Sequence, residues 1–325
     1  MTERKRVAAI DCGTNSIRLL VAEAADPGTG LVDVHREMRV VRLGRGVDAT
    51  GRFDDTALRD TLAAARDYAQ ICADNGVRSV RFIATSATRD AANAEEFLGG
   101  VHEIFGECDV TPEVITGLAE AQLSFAGATA ELVAAERAGI GEAEAPYLVV
   151  DIGGGSTEFV RGSSEVEQSI SLDIGCVRMT ERHLQDDPPT ETQVWAALTD
   201  ITEAIDHAAR SVDFSGVRTL IGLAGSVTTT SAHALELPTY DPQRIHGSVI
   251  STVDVVDATN DLLRMGRAER EGLPYMHPGR VDVIGAGALI WRTVVQRLVR
   301  DAGLASVRTS EHDILDGIAW SQIQP

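Results

Sequence analysis

Asp11-Cys12-Gly13-Thr14-Asn15-Ser16 and Asp151-Ile152-Gly153-Gly154-Gly155-Ser156 are one device written twice. In each, an aspartate ends a short apolar run, a glycine-containing turn follows, and a hydroxyl residue opens a second β-favouring run. Residues 7–10 and 17–22 flank the first turn, and residues 147–150 and 157–160 flank the second. The pattern reads as strand, turn, strand in both places. Internal similarity about half a chain apart implies duplicated halves, each presenting a glycine-rich turn to a cleft.

Working outward, Leu58, Leu62, Ala65, Ala69 and Cys72 recur at helical spacing. Thr190 and Gln193 form a capping box ahead of Val194, Leu198, Ile201 and Ile205. A further apolar stripe runs through Val281, Ile284, Ala288, Trp291, Val295 and Leu298. Strand runs at 79–84, 168–172 and 218–223 alternate with these helices. The expectation is an α/β chain of two domains, one spanning 1–130 and completed by a closing helix at 312–325, the other spanning 131–311. The Ala/Glu-rich stretch 131–146 is the expected junction.

A length of 325 residues, 44% of them hydrophobic, exceeds one ordinary core. No apolar run is long enough to span a bilayer and no signal-peptide pattern opens the sequence, so a cytoplasmic protein without a membrane is expected. Four scattered cysteines without a CxxC pair suggest neither a disulfide framework nor a zinc site. A net charge of −20 argues against a nucleic-acid partner, whose phosphates call for clustered basic residues. Lys5 is the only lysine, which excludes a Walker loop, and no HExxH, GxSxG or Cys/His pair occurs.

Three segments carry small and hydroxyl residues after an apolar run: 11–16, 151–157 and 223–228, the last containing Gly225 and Ser226. Glycine lets backbone N–H groups approach a phosphate closely, and Ser and Thr add donors. Each segment alone is also what a tight turn looks like. Three together, two led by aspartate, favour a phosphate clamp.

The motifs at 11–16, Thr-Ser-Ala-Thr-Arg-Asp at 85–90, Ile-Thr-Gly-Leu-Ala-Glu-Ala at 115–121, Asp-Ile-Gly-Gly-Gly-Ser-Thr-Glu at 151–158, Ile-Gly-Cys-Val-Arg at 174–178 and Gly-Leu-Ala-Gly-Ser-Val-Thr at 222–228 occur in order. Together they resemble the exopolyphosphatase/guanosine pentaphosphate phosphohydrolase family over essentially the whole chain, in its short form. The resemblance implies two related actin-like, ribonuclease-H-like domains of the hexokinase superfamily. It also implies hydrolysis of a terminal phosphate from inorganic polyphosphate or from the stringent-response alarmone guanosine pentaphosphate, and makes a homodimer plausible.

By that resemblance Glu120 is the catalytic glutamate, in the first turn of a helix beginning near Leu118, where the helix dipole favours an ionised carboxylate. Its plainer reading is an acid that merely complements the helix dipole. Asp151 is expected to hold Mg²⁺ through hard carboxylate oxygen, with Glu158 as a second acid and Asp11 positioning the metal's waters. The rival readings are turn capping for the aspartates and a solvated surface acid for Glu158. Arg89 is expected to fork onto a phosphate oxygen, against a surface ion pair with Asp90 or Glu95. Asn15, Ser16, Gly153, Gly154, Gly155, Ser156, Gly225 and Ser226 complete the expected phosphate contacts. Cys176 reads as a small buried residue, and His246, His277 and His312 receive no role.

The preferred reading is therefore a Mg²⁺-dependent exopolyphosphatase. A guanosine pentaphosphate 5′-phosphohydrolase is the alternative, with an ATP-dependent kinase on the same fold and a non-catalytic polyphosphate or alarmone sensor behind it. Scarce cations beside the motifs imply short polyphosphate chains and release after each cut.

Overall fold

The computed structural model describes residues 6–24, 31–106, 110, 112–137, 139 and 143–323. The chain divides into two compact units: residues 1–131 with 314–325, and residues 132–313.

In the first unit, strands β1 (Arg6–Cys12), β2 (Ser16–Ala24), β3 (Leu31–Val40), β4 (Ser79–Ala84) and β5 (Glu113–Val114) form a sheet in the order β3-β2-β1-β4-β5. The first three strands make an antiparallel meander, and β4 and β5 add in parallel. Residues 7–10 of β1 are apolar without alternation because both faces of the strand are covered. Ala8, Ile10 and Cys12 join one cluster with Leu58, Ala65, Tyr68 and Phe97, supplied by helices α1 (Asp55–Asp74) and α3 (Ala94–Phe105). Val7 and Ala9, pointing the opposite way by the period-two rule, join another with Ile314, Leu315 and Ile318. Between α1 and α3 lies a short helix, α2 (Ser86–Asp90). Helices α4 (Gly117–Arg137) and α10 (Ile314–Trp320) approach so closely that a Cβ on Gly317 would stand 2.1 Å from the Leu123 carbonyl oxygen. α1 starts at Asp54, whose side chain accepts from the amides of Thr56 and Ala57.

The second unit repeats the plan. Strands β6 (Tyr147–Ile152), β7 (Thr157–Gly162) and β8 (Val166–Leu172) form the meander. β9 (Thr219–Leu223) and β11 (Ser306–Thr309) add in parallel, and β10 (Val249–Ser251) closes the edge antiparallel to β11. Its order is β10-β11-β9-β6-β7-β8. Helices α5 (Cys176–His183), α6 (Glu191–Ser211), α7 (Ala224–Ala234), α8 (Thr252–Arg264) and α9 (Ile284–Ala302) enclose it. α6 begins with the expected Thr190/Gln193 capping box. Trp291 is fully buried over Gly222, where a Cβ would come within 2.7 Å of the indole.

Some boundaries differ from the sequence expectation. α9 starts at Ile284 rather than at Val281, because Pro278–Arg280 forms a 3₁₀ turn in which His277 Nδ1 accepts from the Gly279 amide. The closing helix starts at Ile314, since the Ser310 hydroxyl and the His312 backbone bond each other in a turn. The expected junction begins as helix, through Arg137; residues 138 and 140–142 of it, like 324 and 325 of the closing segment, lie outside the described residues.

Candidate active site

In the first unit the expected residues gather at the carboxyl ends of β1, β4 and β5, the end of a parallel sheet where ligands bind. The Gly13 amide donates to the Ser16 carbonyl at 2.9 Å and closes the turn. Segment 41–44 then clasps it: Val41 and Arg42 donate to the Asn15 carbonyl at 3.0 and 2.9 Å, and Gly44 donates to Thr14 at 2.8 Å. Gly44 is required there, since a Cβ would meet Thr14 Cγ2 at 2.3 Å. The Thr14 and Ser86 hydroxyls stand 3.0 Å apart and tie the turn to α2.

Asp11 is buried, and its ladder partner on β2 is Arg18. Arg18 Nε and Nη2 both donate to Asp11 Oδ2, at 2.9 and 2.6 Å. Glu120 lies in the first turn of α4, where Thr116 Oγ1 caps the Ala119 amide at 3.2 Å. Only 8% of Glu120 is exposed. Arg89 Nη1 donates to Glu120 Oε2 at 2.9 Å and to the Ile115 carbonyl at 2.8 Å. The partner of Arg89 is thus Glu120, in place of the alternatives Asp90 and Glu95.

The second unit builds a matching turn. The Gly153 amide donates to Ser156 at 3.0 Å, and the segment after the third strand again takes up the turn's carbonyls. Cys176 donates to Gly153 at 3.0 Å, while Val177 and Arg178 donate to Gly154 at 2.9 and 3.1 Å. A Cβ on Gly175 would sit 2.4 Å from Gly154, so this contact also demands glycine. With the carbonyls engaged, the amides of Gly154 and Gly155 have no partner among the described residues. Successive free N–H groups in a glycine turn form an anion-binding nest.

Asp151 and Glu158 are ladder partners on β6 and β7, so their side chains rise from the same face; 7% and 1% of them is exposed. The Ser171 hydroxyl donates to Glu158 Oε1 at 2.7 Å. Two buried carboxylates side by side, all hard oxygen, fit a small divalent cation. Asp11 fits one less well, because a guanidinium already occupies the matching position.

Beside this turn, β9 runs into α7 through Ala224, which holds a positive φ of 64°. Gly225 follows, and Arg280 lies so close that a Cβ on Gly225 would meet Arg280 Nε at 2.3 Å. Arg280 Nη1 donates to Thr229 Oγ1 at 3.1 Å, and its guanidinium lies 5.8 Å from the centre of the Tyr240 ring. The Tyr240 hydroxyl, its pKa pushed up to about 12 chiefly by burial, stands 2.8 Å from Thr228 Oγ1 and 2.7 Å from Glu311 Oε1. Arg280 was not anticipated: it follows a Pro-Gly turn far along the chain and carries no local signal. Ser226 is buried under Gly287, and the Cys176 thiol is pushed up by burial, as a small structural residue would be. The His246 and His312 rings lie with their centres 4.4 Å apart and their planes tilted by 37°.

Repeated three-stranded meanders with parallel additions, each bearing a glycine turn clasped by the segment that follows its third strand, define an α/β protein of two related domains. The chain belongs to the Ppx/GppA phosphatase family, whose model matches residues 20–322. It is 48% identical over 323 residues to exopolyphosphatase 2 of Mycobacterium tuberculosis, covering 97% of this chain and 98% of that protein. A solved exopolyphosphatase-like protein superposes with a TM-score of 0.90 at 45% identity, covering 98% of each chain. The Ppx/GppA enzyme of Aquifex aeolicus superposes with a TM-score of 0.78 at 30% identity, covering 98% of this chain and all of that one. Among the described residues no helix is long and apolar enough to cross a membrane.

Proposed function

We propose that this chain is an exopolyphosphatase that releases the terminal phosphate of inorganic polyphosphate. The observation that carries the reading is the pair of unpartnered Gly154 and Gly155 amides beside the buried Asp151 and Glu158. Similarity to the exopolyphosphatase 2 of M. tuberculosis supports it.

Phosphoanhydride hydrolysis calls for an oriented water and for positive charge against the non-bridging oxygens. The amides of Gly154 and Gly155, the hydroxyl of Ser156, the first turn at Gly225 and the Arg280 guanidinium receive phosphate oxygens, while Ser226, packed under Gly287 beside Cys176, supports that turn. Asn15 and Ser16 add donors from the first turn. Glu120 orients the attacking water and takes its proton as the new P–O bond forms. The bridging P–O bond breaks, and the shortened chain leaves with the bonding electrons. Arg89 fixes the Glu120 carboxylate. Asp151 and Glu158 would hold Mg²⁺, which supplies charge neutralisation at the phosphate oxygens when bound. Asp11 orients Arg18 and the first turn. The reading includes a cytoplasmic location and a homodimer as the working assembly.

Phosphate release from polyphosphates of defined length, guanosine pentaphosphate and ATP, with and without Mg²⁺, tests the reading. Release from polyphosphate at the highest kcat/KM, abolished by chelation, is the expected result. A higher kcat/KM for guanosine pentaphosphate moves the assignment to the alarmone phosphohydrolase. Transfer from ATP only when an acceptor is present would make it a kinase, and binding without release a sensor.

A further inference from the structure

In a chain with 49 acidic and 29 basic residues, Arg280 makes no ion pair among the described residues. Its guanidinium has a single hydrogen bond there, from Nη1 to Thr229 Oγ1 at 3.1 Å. The opposite edge lies flat against Gly225, where a Cβ would meet Nε, Cζ and Nη2 at 2.3, 2.5 and 2.7 Å. Tyr240 supports the same guanidinium, with Cζ 5.8 Å from the ring centre, inside the range at which an aromatic face attracts a cation. The hydroxyl of that ring stands 2.7 Å from Glu311 Oε1 and 2.8 Å from Thr228 Oγ1. A phenol has one proton to give. The carboxylate takes it, because a charged acceptor forms the stronger bond, and Thr228 donates in turn to the phenol oxygen. Burial keeps the phenol protonated throughout the neutral range, so it remains a donor. Glu311 is held at its backbone as well, its amide donating to His246 Nδ1 at 3.2 Å.

We infer that Tyr240 is a positioning residue for substrate binding, its ring seating Arg280 and its hydroxyl holding the Glu311 carboxylate off the guanidinium. The inference rests on the reading of Arg280 as a phosphate contact and adds what keeps that contact available. Glu311 is the natural competitor, an anion separated from Arg280 by one side chain that touches both. A carboxylate paired with the guanidinium would occupy the donors that phosphate oxygens need. Satisfied by a neutral hydroxyl, Glu311 leaves that fork to the substrate. The plain alternative is that Tyr240 only fills space between α7 and segment 310–312, and a phenylalanine ring would do that equally well.

The test measures kcat and KM on tripolyphosphate, and equilibrium binding of tripolyphosphate in the Glu120→Gln background, where cleavage is slowed. Tyr240→Phe is expected to raise KM and weaken binding about tenfold, with kcat within about twofold of the wild type, the scale of one hydrogen bond to a charged group. Tyr240→Leu, which also removes the ring face, should weaken both further. Removing the competitor should restore affinity, so that Tyr240→Phe/Glu311→Gln binds within about threefold of the wild type, and in an Arg280→Ala background Tyr240→Phe should add nothing. Wild-type KM and binding in Tyr240→Phe, or a defect that Glu311→Gln does not relieve, would overturn the inference. The hydrolase reading fails separately: a wild type that releases no phosphate sinks it, while binding in the same variants still reports on Tyr240. Melting curves of each variant distinguish a change in binding from a loss of fold.

Discussion

Asp151 and Glu158 oppose each other across β6 and β7, at the register position where the first unit opposes Asp11 with Arg18. The duplicated hairpins have thus diverged in charge at one site: an internal ion pair in one half and a pair of acids in the other. Buried like charges are tolerated where a cation or a hydrogen-bond network neutralises them.

The acid pair should make folding stability sensitive to divalent metal. Mg²⁺ that binds only the native state raises Tm by mass action. Asp151→Asn should flatten that rise and shift the Mg²⁺ concentration for half-maximal activity upward by about tenfold or more, with partial recovery at high Mg²⁺. Unchanged melting and metal titrations in this variant would return Asp151 to a turn-capping role.

Glu120→Gln should reduce kcat by roughly 10² to 10⁴-fold with KM little altered, the scale of a positioned proton acceptor. Arg89→Lys should also lose activity, because one ammonium cannot hold both Glu120 and the Ile115 carbonyl as the guanidinium does. A Glu120→Gln protein that folds and turns over like the wild type would end the assignment.

The contact between Gly225 and Arg280 predicts a coupling. Gly225→Ala places a methyl where Arg280 Nε now lies, at 2.3 Å, and should raise KM about tenfold by displacing a charge-assisted contact to phosphate. In an Arg280→Ala background the same substitution should cost little further. Additive losses in the double-mutant cycle would separate Gly225 from Arg280 and refute the shared role.

Cys12 and Cys176 have thiols raised above the ordinary value by burial, with Asp11 adding to the rise at Cys12 and Ser226 and Arg280 opposing it at Cys176. Native protein should leave both unalkylated at neutral pH, when peptides are mapped by mass spectrometry. The sign also fixes a pH trend. Stability from keeping these thiols neutral is complete below the unfolded value near 9.0 and declines as pH rises from there toward the folded values. Rapid labelling of Cys176 in folded protein would contradict its burial.

What the sequence disclosed was local chemistry. Both hairpins were legible because an aspartate, a glycine turn and a hydroxyl lie within six residues, and α6 because its capping box is four residues long. β3 escaped notice, since Asp33, Arg36, Glu37 and Arg39 interrupt its apolar pattern on an edge strand whose charges pair sideways with Asp316 and Asp67. Arg280 was equally invisible, because its meaning depends on what tertiary folding sets beside it. Arg42 reads as one more surface arginine until its backbone angle is known.

The closing helix α10 gives the order of synthesis a physical significance. Residues 132–313, the whole of the second unit, leave the ribosome before Ile314 does, so that unit can complete its sheet and core while translation continues. The first unit cannot. Its second cluster stays open until Ile314, Leu315, Ile318 and Ala319 arrive, and the β1 backbone waits for Gln322 Nε2 to reach the Ala8 carbonyl at 2.9 Å. A nascent chain stalled at Asp313 would therefore carry a finished second unit beside a first unit whose apolar sheet face is still uncovered, the state in which a chaperone would find the most to hold.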